Sequence, residues 1–169
     1  MDSISEQFGQ IYDQYIEKIY RFVYLKVSSK EVAEDITSKV FLSGWEVYQK
    51  DQGGIKNMNA FLYQIARNAV TDHYRKRGKS KTVSQDAVAE TPDSRPGVYE
   101  GAVLSSDIEA IKASIQGLKK EYQDVLIWHY LEDMHPEQIA EILDKPVGTI
   151  RVMIHRGLKA LKDQLPQES

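Results

Sequence analysis

The chain has 169 residues, enough for one ordinary domain or two small ones, each near the lower size at which a core supports itself. Its 41% apolar and 28% charged content, with ten tyrosines, four phenylalanines and two tryptophans, excludes a disordered polymer, and the lack of cysteine excludes disulfides, thiolate zinc sites and cysteine nucleophiles. The formal charge of −3 argues against a protein that coats nucleic acid unaided, because lysine and arginine neutralising phosphates supply most non-specific affinity.

In chain order, apolar residues recur at helical spacing and strand-length alternation is absent, which predicts an all-α chain. The first helix is expected from Ser5 to Val27, with Phe8, Ile11, Tyr12, Tyr15, Ile19, Phe22 and Val23 on one stripe and Ser28-Ser29 as its stop. The second, Lys30 to Gln49, carries Val32, Ile36, Val40 and Val47 on one face, with Phe41 and Trp45 one turn apart beside it; Asp51, Gln52, Gly53 and Gly54 end it. The third starts at Asn57 or Asn59, either of which suits a cap, and runs through Phe61, Leu62, Ile65, Ala69 and Val70 into a basic tail. Residues 1–78 form a first, three-helix module on this reading.

Periodicity fades over 79–105, where Thr91-Pro92-Asp93-Ser94-Arg95-Pro96-Gly97 has the composition of a flexible linker. Residues 106–169 form a second, four-helix module: Asp107–Gln116, Lys119–Leu131, Pro136–Leu143 and Val147–Leu165, with Pro136 in a first turn, where a missing N–H costs nothing. Charge follows the same division. Arg67, Arg75, Lys76, Arg77, Lys79 and Lys81 form one basic patch, against Asp72 alone; Lys145, Arg151, Arg156, Lys159 and Lys162 form another. Between them, from Thr82 to Glu109, lie Asp86, Glu90, Asp93, Glu100, Asp107 and Glu109, opposed by Arg95 only, a stretch that should avoid DNA.

The last helix pair has the layout of a helix-turn-helix: Ile139, Ala140 and Leu143 inward, a turn at Asp144-Lys145-Pro146, then Ile150, Ile154, Leu158 and Leu161 inward on a basic helix. The opposite face would present Thr149, Arg151, Val152, His155, Arg156 and Lys159. Arginine suits phosphate and guanine edges, threonine suits phosphate, and valine can meet a thymine methyl. A merely solvated basic face is the plain alternative.

The run Leu118-Lys119-Lys120-Glu121-Tyr122-Gln123-Asp124-Val125-Leu126-Ile127-Trp128-His129-Tyr130-Leu131-Glu132, with Glu137-Gln138-Ile139-Ala140-Glu141-Ile142-Leu143 and Pro146-Val147-Gly148-Thr149-Ile150-Arg151, resembles the fourth conserved region of extracytoplasmic-function (ECF) sigma-70 factors. Ala33-Glu34-Asp35-Ile36 with Val40-Phe41 and Trp45, then Phe61-Leu62-Tyr63-Gln64-Ile65-Ala66-Arg67-Asn68 with Asp72 and Arg75, resembles their second region. The resemblance implies a non-enzymatic factor that brings core RNA polymerase to promoters, reading the minus-thirty-five element with the second module and reading and melting the minus-ten element with the first. It implies as partners the polymerase (β′ clamp helices and β flap), promoter DNA and an anti-sigma protein, and it implies no cofactor and no metal.

By the same resemblance, Asp35, Ser38, Lys39, Phe41, Leu42 and Trp45 fall on the surface that docks on the polymerase clamp, although Ser38 stands where glutamine is usual, Lys39 where an acid is usual, and Phe41 equally suits the core. The minus-ten set is Lys56, Asn57, Tyr63, Arg67, Asn68, His73, Tyr74, Arg75 and Arg77, since an opened duplex needs an aromatic platform or pocket and cations for its strands. Asp72 reads as a local partner of Arg75 or Lys76. Val152 and Met153 replace the serine and arginine frequent in relatives, so promoter preference does not transfer, and Trp128 reads as core.

The two promoter elements lie on the order of 70 Å apart at about 35 Å per turn of duplex. A linker of about 28 residues reaches roughly 90 Å extended, but its coil average is nearer 30 Å. The polymerase must therefore hold the modules apart, and the free chain is expected to let them approach. Met1 to Gln10 shows no leader pattern, and no apolar run nears the roughly 20 residues needed to cross a bilayer, so a cytoplasmic protein without membrane insertion is expected. Rival readings are a free-standing DNA-binding regulator dimerising through its first helices, disfavoured by the acidity; an enzyme, disfavoured by the scatter of His73, His129, His135 and His155; and a protein-only adaptor, which leaves the basic patches unexplained.

Overall fold

The computed structural model describes residues 3–51, 54–79 and 106–165, and among them every regular element is helical. The helices are α1 (Ile4–Val27), α2 (Lys30–Asp51), α3 (Met58–Lys79), α4 (Ser106–Ile115), α5 (Lys120–Leu126), α6 (Pro136–Leu143) and α7 (Val147–Gln164). A π-helical turn, Ile127–Leu131, continues α5. The expected linker lies, apart from Lys79, outside the described residues.

Local chemistry sets the boundaries. Ser3 Oγ accepts the Glu6 N–H at 3.1 Å while the Glu6 carboxylate accepts the Ser3 N–H at 2.9 Å, a reciprocal capping box that starts α1. Ser28 ends it in the left-handed region at φ 64°, donating its N–H to Tyr24 O at 2.8 Å. Ser29 Oγ takes the Val32 N–H at the head of α2. Of the two asparagines that suit the start of α3, Asn57 caps, its Oδ1 accepting the Ala60 N–H at 3.0 Å. Pro136 occupies the first turn of α6, and the Gln138 side chain accepts the His135 N–H at 2.9 Å.

The expected stripe of α1 gives way in its second half to burial all round: Phe22, Val23, Tyr24, Leu25, Lys26 and Val27 are all buried. The reason is tertiary. α2 and α3 pack on one side of α1, and the second module packs on the other, so the two modules share one continuous core. At the seam Trp128 is fully buried, stacked on Phe22 (centroids 5.3 Å, 11°) and edge-on to Tyr63 (5.6 Å, 74°). On α2, Val47 departs from expectation by facing solvent, while Phe41 turns inward against Phe8 and Tyr12. Gly157 of α7 crosses α5 closely, where an added Cβ would stand 3.3 Å from Tyr122 Cβ.

Ser28 pays the steric cost of a left-handed residue with an exposed side chain. Ser28→Gly should raise unfolding free energy by up to about 1 kcal/mol, seen as a higher denaturant midpoint at unchanged slope; a lower midpoint would contradict this account of the cap.

Candidate nucleic-acid interface

The recognition-type helix α7 separates its two faces cleanly. Ile150, Met153, Ile154 and Gly157 are buried against α5 and α6, while Thr149, Arg151, Val152, His155, Arg156 and Lys159 are all exposed. A basic, solvent-facing ridge on the second helix of the pair is the geometry that enters a major groove. Glu137 lies 3.4 Å from Arg151, an exposed pair that holds the guanidinium weakly and releases it at little cost. Met153, standing where relatives carry arginine, points into the core and offers DNA nothing.

The first module divides its candidates among several surroundings. Asn68, Arg75, Arg77 and Lys56 are exposed, with Asp72 3.6 Å from Arg75 as a one-turn pair. Asn57 uses its Oδ1 for the α3 cap. His73 is half-buried near Arg77, Lys39 and Asp35, and burial, then Arg77 and Lys39, push its imidazole below the ordinary value. Tyr63, Arg67 and Tyr74 turn toward the seam instead. Tyr63 is fully buried among Phe22 and Trp128, so in this conformation it meets no DNA, and burial drives its phenol well above the usual range. Tyr74 donates its hydroxyl to Lys26 O and lies under the Lys120 ammonium, 4.2 Å from the ring centre. Arg67 Nε donates to Asp124 Oδ2 at 3.0 Å.

Of the clamp-docking candidates, Asp35, Ser38, Lys39 and Leu42 are exposed, and Trp45 is half-buried against Phe8. Phe41 is the exception: it is buried core, because its position on α2 faces α1. Asp35 and Lys39 form an exposed one-turn pair at 3.1 Å, so lysine at the position where an acid is usual has found a local partner.

The seam brings together polar residues to which the sequence assigned no role. Asp124, nearly inaccessible, sits between Lys26 Nζ at 2.6 Å from Oδ1, an ion contact rather than an aligned hydrogen bond, and Arg67. Lys26 also donates to Lys120 O at 3.3 Å, and its burial lowers the ammonium pKa against the upward pull of Asp124. Arg21 grips Glu132 with two bonds, 2.8 Å and 3.1 Å, and Tyr24 donates its hydroxyl to Glu109 while accepting from Lys112. Gln64 Nε2 donates to the carbonyls of Glu141 and Ile142 at the end of α6. One sequence signal existed: Lys26 is a lone charge in the run Phe22-Val23-Tyr24-Leu25-Lys26-Val27, and Asp124 adjoins Val125-Leu126-Ile127-Trp128.

The described helices include none long and apolar enough to cross a membrane, and the described residues hold no cluster of histidine and acid side chains able to hold a metal ion. The family model for sigma-70 region 2 matches residues 11–80, and that for sigma-70 region 4 matches residues 108–161. The ECF RNA polymerase sigma factor SigW of Bacillus subtilis is 31% identical over 175 residues, covering 95% of this chain and 89% of its own length. The chain belongs to the ECF sigma factors of the sigma-70 family. As such it is a transcription-initiation factor and not an enzyme. The ECF sigma factor BldN of Streptomyces coelicolor is 26% identical over 170 residues, and there the chain spans 62% of the relative's length. The fold of this sigma factor matches that of RpoE from Bartonella quintana, solved with the anti-sigma factor NepR, at a TM-score of 0.71 and 23% identity, covering 94% of this chain and 96% of that one. CnrH, solved with the cytosolic domain of CnrY, gives a TM-score of 0.68 at 15% identity, over 94% of this chain and 87% of that one.

The lowered His73 pKa leaves the imidazole neutral at pH 7.5, where it adds no charge toward phosphate. In holoenzyme bound to promoter DNA at that pH, His73→Gln should leave the salt dependence of affinity unchanged, whereas Arg75→Gln should reduce the log–log slope by about 0.7–0.9 for one lost phosphate contact. An equal drop in both would mean that His73 is charged.

Proposed function

We propose that residues 1–78 and 106–169 of this sigma factor act as separate promoter readers on core polymerase, joined by the segment 79–105. The second reads the minus-thirty-five element through Thr149, Arg151, Val152, His155, Arg156 and Lys159. The first contacts the melted minus-ten strand through Lys56, Asn57, Tyr63, Arg67, Asn68, Tyr74, Arg75 and Arg77, of which Tyr63 becomes available only when the modules part, while Arg67 and Tyr74 then lose their contacts with Asp124 and Lys120. The single observation that carries this reading is the α7 ridge, whose six polar or small exposed side chains stand opposite a buried apolar face.

Asp35, Ser38, Lys39, Leu42 and the edge of Trp45 form the surface offered to the β′ clamp helices, with Phe41 supporting it from within. An apolar groove of about 270 Å³ between α4, α5 and α7, lined by Ile111, Leu126, Tyr130, Leu158 and Leu161, suits the β flap. An anti-sigma protein is a further partner, supported by the complex of RpoE with the anti-sigma factor NepR. The protein works in the cytoplasm, where its polymerase and promoters are. A free-standing dimeric regulator is disfavoured because the second half of α1 is already covered by the second module.

The deciding experiment is reconstitution with core polymerase on a promoter library, reading start sites; absence of start sites above core alone sinks the reading. Within it, Arg156→Ala should weaken minus-thirty-five contact by about 1–3 kcal/mol without changing polymerase affinity. Leu42→Glu, which puts a charge at a 60% exposed leucine, should instead lower polymerase affinity and spare folding. Loss of both activities in Arg156→Ala would show that the ridge is misassigned.

A further inference from the structure

We propose that the free sigma factor locks itself shut through Asp124, which ties down Arg67 Nε while Trp128 covers Tyr63, so that closure and strand contact compete for the same face of α3. This rests on the sigma reading given above. Arg67 keeps 43% of its side chain exposed, but its Nε is committed to Asp124 Oδ2, and its α3 neighbours Tyr63 and Gln64 are committed to Trp128 and to the carbonyls of α6.

The seam has the makings of a switch rather than of a permanent domain core. Its polar contacts join α1 and α3 to α4, α5, α6 and the turn after the π-helix, at Arg21–Glu132, Lys26–Asp124, Arg67–Asp124, Tyr24–Glu109 and Gln64 with the carbonyls of Glu141 and Ile142. Native cores leave few buried polar atoms idle, Thr37 Oγ1 of α2 being one here, and at the seam Tyr63 Oη and Trp128 Nε1 are both buried without a hydrogen-bond partner among the described residues. Each regains water, or a base or backbone acceptor, when the modules separate, so opening recovers hydrogen bonds that closure forgoes. Asp124 is the member that opening most disturbs, since one carboxylate compensates two cations and closure without it would leave Lys26 buried and unpaired. The lock also accounts for the all-round burial of Phe22 to Val27, which the three-helix module alone does not require.

The test uses the full chain, first without DNA. In a Trp45→Phe background the fluorescence reports Trp128 alone, since the chain has two tryptophans. Asp124→Asn should move the emission to longer wavelength and raise the radius of gyration by small-angle scattering, at unchanged helical circular dichroism. If Asp124→Asn loses helicity, Arg21→Gln with Glu132→Gln is the substitute, with the same expectation. Emission and radius both unchanged in a folded variant would overturn the lock.

The second arm holds the seam closed. The chain has no cysteine, so Arg21→Cys and Glu132→Cys can be bridged by a short, reductant-cleavable bis-methanethiosulfonate linker across the gap now spanned by the ion pair. The bridged protein with core polymerase should lose at least about tenfold in transcript yield, because apparent affinity scales with the competent fraction, and reduction should restore it. Initiation by the bridged form equal to that of the reduced form overturns the lock. Failure of both forms counts against the sigma reading, and the fluorescence arm then decides the lock by itself.

Discussion

A single buried carboxylate organises the described structure. Asp124 has left water for a seam in which it faces an ammonium and a guanidinium from another module, and its desolvation is offset only while both stay in place. Trp128, one helical turn later, fills the same seam with its largest apolar side chain. Trp128 itself lies in the π-helical turn Ile127–Leu131 that continues α5. Charge and packing thus act at one place, and the relation of the two modules follows from that place.

The geometry separates the surfaces by availability. The α7 ridge and the exposed side chains of α2 are accessible in the closed molecule, whereas Tyr63 is fully buried and Arg67 and Tyr74 are only partly exposed. The closed molecule offers its basic ridge before the Tyr63 ring, an order that under the proposed function puts polymerase and duplex ahead of single strands. The order is a consequence of packing, since the covered residues occupy the face of α3 that touches the second module and the free ones, such as Asn68 and Arg75, lie around the helix from it.

The acidic total charge fits the same division. Non-specific affinity for nucleic acid is low when the few basic patches are small and one of their arginines is paired internally.

Much of the local structure was legible in the residues. The helix order, the Asn57 alternative for the α3 cap, Pro136 in a first turn and the inward Ile150 and Ile154 follow from spacing and capping chemistry, which act over three or four residues. The Asp72–Arg75 pair was readable for the same reason. What periodicity could not supply was the second buried face of α1, the burial of Tyr63, the exposure of Val47 and the joint use of Asp124 by Lys26 and Arg67. Those partners lie 57 to 111 residues apart along the chain. Sequence alone therefore determined the helices and their family, through short-range hydrogen bonds and apolar spacing. Only the tertiary structure decided which charges leave water together, because that depends on where distant surfaces meet.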